Sequence, residues 1–161
     1  MSDFAKKEIS FDGRLVFDCP EGFRIMREEE LPSFLVPQGT AALGIQKDQS
    51  GLTFAVSGRR INPVLAALLD PRNTIRGLQL RLHRALKDQG YTFLEYTERV
   101  IAHQRAKGFR FTVRIRDREG EGSVWMIRHR MQVYTLYTYA FLPLPREEER
   151  ILEELQASVR L

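Results

Sequence analysis

Between Gly108 and Asp117 the chain alternates: Phe109, Phe111, Val113 and Ile115 fall on one side, Arg110, Thr112, Arg114 and Arg116 on the other. A period of two belongs to a strand with one buried face, so a sheet must pass through this stretch. The other period appears over Asn62 to Lys87, most clearly in its second part. There Ile75, Leu78, Leu82 and Leu86 recur at three- and four-residue spacing and leave Arg76, Arg84 and Lys87 on the far side. Asn62 or Asp70 can cap this helical segment, Pro63 or Pro71 suits its first position, and Gly90 ends it.

The flanks of that helix read as strands. Residues 8–20, EISFDGRLVFDCP, hold Asp12-Gly13 between two apolar runs, a hairpin signal because both central positions tolerate positive φ. EGFRIMREEELPSFLVP, broken by Pro32 and Pro37, predicts an irregular or edge strand. AALGIQKDQSGLTFAVSG predicts a second hairpin around Asp48 to Gly51. After the helix come three long strands, about 92–103, 109–116 and 124–142, the last two joined through DREGEGS with Gly120 and Gly122 as turn residues.

Centring that turn at Gly120 sets Ile115 opposite Trp125, Val113 opposite Ile127, Phe111 opposite His129 and Phe109 opposite Met131. The same register sets Arg110 against Arg130 and Thr112 against Arg128. A Pro-rich stop and a terminal helix follow, with Ile151, Leu152, Leu155 and Val159 as its stripe. Hairpins, helix, meander and helix in that order predict an α+β fold: a mainly antiparallel sheet of about six strands, one central helical segment and a C-terminal helix.

A chain of 161 residues fits a single domain, 1–161, that buries about two thirds of the surface its unfolded chain exposes. Such a core needs no disulfide or metal. Cys19 is the only cysteine, so no intrachain disulfide forms and a reducing compartment is the simpler reading. The start, MSDFAKKEISFDG, lacks the apolar centre of a signal peptide, and no apolar run approaches the roughly 20 residues of a membrane span. The sequence therefore reads as cytoplasmic. Its 25 Lys and Arg against 21 Asp and Glu give a formal charge of +4, which permits an anionic partner without requiring one.

Catalytic and cofactor patterns are absent. His83, His103 and His129 are far apart in sequence, and no HxxxH or CxxC pair offers ligand spacing. There is no GxxxxGK, and GEG lacks the glycine and helix of a dinucleotide loop. His129 is expected in the core with a hydrogen-bond partner, Cys19 as a small buried hydrophobe, and Trp125, Tyr134, Tyr137 and Tyr139 as core aromatics. No catalytic residue, metal or cofactor is expected.

The expected register gathers Arg110, Arg114, Arg116, Arg128 and Arg130 on one face, where like charges on neighbouring strands repel. They are neutralised from within by Glu95 or Glu98 of the neighbouring strand, or by Glu147, Glu148, Glu149, Glu153 and Glu154 of the terminal helix. Otherwise they serve an external partner: an acidic protein surface, a phosphorylated ligand or a nucleic-acid backbone. Nucleic acid is the weaker form, because no aromatic residues alternate with the arginines on their own face.

Four segments carry a family resemblance: Pro20, Gly22 and Phe23 in FDCPEGF, the AKGFRFTVRI strand opened by Gly108, the VYTLYTYAF strand, and the closing ILEELQASVRL. From about residue 9 onward the chain resembles the PsbP-like and DcrB-like proteins, a fold shared with the extrinsic photosystem II subunit and a Ran-binding nuclear import factor. The resemblance implies an α/β/α sandwich and a bacterial binding module without catalysis, of the kind that includes adaptors chaperoning secretion effectors. A non-enzymatic protein-binding or adaptor role is the leading expectation. An anion or nucleic-acid binder using the arginines, and an unrecognised hydrolase, are the alternatives.

Overall fold

The computed structural model describes residues 7–35, 40–64 and 71–161. The first expected hairpin is present as β1 (Lys7–Phe11) and β2 (Leu15–Cys19), turned at Asp12 and Gly13, both with positive φ. A two-residue strand, β3 (Arg24–Ile25), and short 3-10 turns at Glu28–Glu30 and Ser33–Leu35 occupy the proline-broken stretch. The second hairpin is β4 (Ala41–Lys47) and β5 (Leu52–Arg60). Pro63 and Val64 are helical, and Pro71 opens helix α1 (Pro71–Leu86), which Gly90 terminates with φ 72°. Pro37 and Asp70 lie outside the described residues.

Four strands, not three, follow: β6 (Thr92–Ile101), β7 (Gln104–Ile115), β8 (Arg118–His129) and β9 (Gln132–Phe141). Helix α2 (Arg146–Ser158) closes the chain. The expected 124–142 strand is split by a turn at Arg130-Met131, and the turn expected at Gly120 lies at Arg116-Asp117. Arg116 and Asp117 both have positive φ, as do Ala102 and His103 in the β6–β7 turn, so these two-residue turns have the primed geometry that matches strand twist. Neither carries the glycine that advertises such a turn, which is why the sequence hid them.

Gly120 and Gly122 sit inside β8 for a different reason. A Cβ at Gly122 would collide with the Phe111 ring, and one at Gly120 with the Tyr139 hydroxyl. The missing side chains let aromatic residues of the adjoining strands lie across β8.

Seven strands form one antiparallel sheet in the order β3-β4-β5-β9-β8-β7-β6, so two meanders, linked through α1, join where β5 pairs with β9. Both faces are covered. On one, α1 lays Ile75, Leu78 and Leu82 against Phe109, Phe111, Val113, Val124, Tyr137 and Tyr139. On the other, the β1–β2 hairpin and α2 enclose Leu15, Phe17, Phe54, Trp125, Ile127, Tyr134, Leu136 and Leu155. Arg160 ties these two covers together through backbone bonds to Val16 and ion pairs to Glu8 and Asp18 at 2.9 and 3.2 Å. Cys19 is a free, buried thiol whose pKa burial pushes up.

Candidate functional site

The observed register redistributes the arginines. Ile115 faces Arg118 rather than Trp125, a slip of an odd number of residues, so β8 turns its opposite side to each face of the sheet. Arg110 lies opposite Ser123, and Thr112 opposite Glu121. Arg110 and Arg114 share the α2 side of β7, Arg128 points to the α1 side, and Arg116 and Arg130 occupy turns at opposite ends of the sheet. The five do not form one surface.

Arg110 is neutralised from both sides. It donates to Glu95 of β6 at 2.6 Å and to Glu121 of β8 at 2.5 Å, and those bonds, Glu121 foremost, raise its pKa. Glu95 was an expected partner and Glu121 was not. His129 is half-buried at a strand end rather than in the core, His83 is exposed with its ring edge-on to Tyr91, and His103 is an exposed turn residue. Met131, which the expected register set opposite Phe109, is half-buried in the turn after β8.

A different basic site appears on the α1 side. In β7 the odd positions carry Phe109, Phe111 and Val113 under α1, and toward the start of the strand the same row continues as Lys107 and Arg105. Arg128 from β8 and Arg59 from β5 come to that end of the sheet, and Arg76 reaches it from α1. Two adjoining cavities of about 310 and 330 Å³ share Ile75 and Lys107 in their walls. Ile75, Met126 and Val133 give the first an apolar floor, while Tyr96 and Thr97 of β6 line the second.

Among the described lining residues Glu98 is the only carboxylate, against Arg59, Arg76, Arg105, Lys107 and Arg128. It stands 3.9 Å from both Lys107 Nζ and Arg105 Nε, and Arg105 is 85% exposed, so these long pairs bind the two cations only weakly. Cations over a partly apolar floor favour an anion that also carries apolar groups. The described lining brings together no histidine, cysteine or carboxylate pair. Sequence reading singled out Arg128 of this group. The signal for Arg105 and Lys107 was their parity with Phe109, which marks the place where an apolar row becomes basic.

A third cavity, about 470 Å³, lies at the other end of the sheet beside the 3-10 turns. Its polar wall is occupied with itself: Arg24 pairs with Glu30 at 2.7 Å and Asp48 at 2.8 Å, and Gln46 accepts from Arg24 and donates to Thr53. The Arg24 bonds, joined by the Arg27 backbone N–H, hold the Glu30 carboxyl down at about 2. The Tyr139 hydroxyl is buried without a partner among the described residues, and burial pushes it up to about 12.

No protein-family model matches the chain, and no curated protein matches it in sequence. Solved structures do. Cyanobacterial PsbP (CyanoP) from Synechocystis superposes with a TM-score of 0.66 at 14% identity, over 98% of this chain and 92% of that one. A Bacteroides thetaiotaomicron protein gives 0.62 at 11% identity, over 97% of this chain and 48% of the other. LpqN of Mycobacterium tuberculosis, described as involved in cell envelope biogenesis, gives 0.54 at 12% identity over 96% and 89%. At such identities the likeness is one of backbone architecture, and the seven-stranded antiparallel sheet with its α1, hairpin and α2 covers is the PsbP-like fold.

Proposed function

We propose that the protein is a non-enzymatic binding module whose basic cleft under the start of α1 receives an acidic segment of another protein. The observation that carries this reading is the cluster of Arg59, Arg76, Arg105, Lys107 and Arg128 over an apolar floor with Glu98 as the one described carboxylate in the lining. The apolar floor favours a peptide over a bare polyanion, because covering the half-buried Met126 side chain adds a driving force of about 25 cal/mol per Å² that phosphate cannot supply.

Nucleic acid fits less well. Its affinity rests on rows of phosphate contacts along an extended surface, whereas these cations converge on a concavity. A random-peptide library selected on the protein tests the reading without knowledge of the partner. Enrichment of sequences rich in Asp, Glu and apolar residues, lost when Arg105 and Lys107 are replaced by Glu, is the expected result. Enrichment indifferent to R105E/K107E, or displacement of every selected peptide by oligothymidylate with a steep salt dependence, overturns it.

A further inference from the structure

Strand β6 ends the sheet, and its outer edge has no partner among the described residues. The opposite edge, β3, is only two residues long and is followed by 3-10 turns, whereas β6 runs for ten. Long open edges are normally guarded by prolines, lysines, bulges or free charges, because unpaired N–H and C=O groups template further pairing. Here the guard covers only the first part. A bulge interrupts Phe93 to Glu95, and from Glu95 to Ile101 the strand pairs regularly with β7.

The charges of that regular part each have a partner within the fold. Glu95 takes Arg110; Glu98 faces Lys107 and Arg105; Arg99 lies 5.4 Å over the Trp125 ring and donates to Gln156 of α2. Between them stand exposed apolar side chains: Tyr96 is 48% exposed and Val100 68%. By register with Phe109 and Arg105, both stand on the α1 side of the sheet, and Tyr96 and Glu98 also line the cleft.

We infer that the acidic segment received by the cleft binds as an extended strand, adding to the outer edge of β6 between Tyr96 and Ile101. This deepens the reading of the cleft and depends on it. Side chains on one face of a strand recur about every 7 Å, so alternate residues of an added strand pass beside Tyr96, Glu98 and Val100. Apolar residues cover Tyr96 and Val100. An acidic residue reaches over Glu98 to Lys107, Arg105 and Arg76, and backbone bonds to β6 supply affinity that is independent of side chains.

The test uses one peptide selected on the intact protein and synthesised with a single N-methyl group at each position in turn. Methylation removes one backbone donor, so strand addition predicts affinity losses of about threefold to tenfold at every second position and little change between them. Amide exchange at residues 96–101 should slow at alternate positions when the peptide binds. Uniform tolerance of N-methylation, with R105E/K107E still abolishing binding, overturns strand addition and leaves the cleft reading standing. Failure of the library to yield any acidic peptide overturns both. Sedimentation of the free protein as a dimer that the peptide does not dissociate overturns strand addition, since a second copy then holds the edge.

Discussion

Arg110 and Glu121 meet at 2.5 Å across the β7–β8 pair, and the same guanidinium holds Glu95 of β6 at 2.6 Å on its other side. One arginine thus clamps three strands. It is partly exposed, so solvent screening keeps the value of the clamp modest. R110Q is expected to lower stability by about 1 kcal/mol in a urea melt, and E121Q by somewhat less. In the double variant the losses should fall short of additive, because both changes remove the same pair. Additive losses would show that the two side chains act independently.

Gly122 faces the Phe111 ring with no room for a methyl group. Gly122→Ala is expected to cost about 1–3 kcal/mol by overpacking, since Phe111 is fully buried and stacked 5.2 Å from Tyr91 and has little freedom to retreat. The companion G122A/F111L variant should recover part of that loss, which a melt of both proteins would reveal.

The Arg116-Asp117 turn holds two non-glycine residues at φ 54° and 61°. Left-handed backbone costs a side-chain-bearing residue about 1 kcal/mol, so replacing the pair with Asn-Gly should raise the melting midpoint. The same glycine placed at Thr112 inside β7 should lower it.

Glu30 makes acid stability a local readout. Its carboxyl sits at about 2 in the fold, below the roughly 4.3 of an unfolded chain. A depressed folded value stabilises above the unfolded one, and that contribution disappears as pH falls from about 4.3 through about 2. Urea midpoints measured across this window should fall more steeply for the native protein than for E30Q. Parallel acid limbs would mean that the Arg24–Glu30 pair carries no linkage.

The elements were legible where one period dominated. Ile75, Leu78 and Leu82 announced α1, and Asp12-Gly13 announced the first hairpin; both are as expected. The meander was legible in β7 and in the span of β6, expected at about 92–103 and found at Thr92–Ile101, but not in β8. In β8 consecutive residues from Gly122 to Trp125 are buried on both faces, so alternation vanishes, and its glycines serve packing rather than turning. With the true turns written in Ala, His, Arg and Asp, the register slipped by an odd number and the arginine set was misgathered. The basic cleft was hidden further, since Arg59, Arg76 and Lys107 belong to three elements whose meeting depends on the β5–β9 junction.

That junction also sets a schedule for synthesis. Thr53 of β5 pairs with Tyr139 of β9, and Val16 bridges to Arg160, so each contact waits for a residue made more than 80 positions later. While the chain emerges from the ribosome, β3 to β5 can assemble as soon as they are made, but Phe54, Val56 and the inner edge of β5 stay open until the second meander is complete. Nascent chains are therefore most prone to self-association in the interval between β5 and β9.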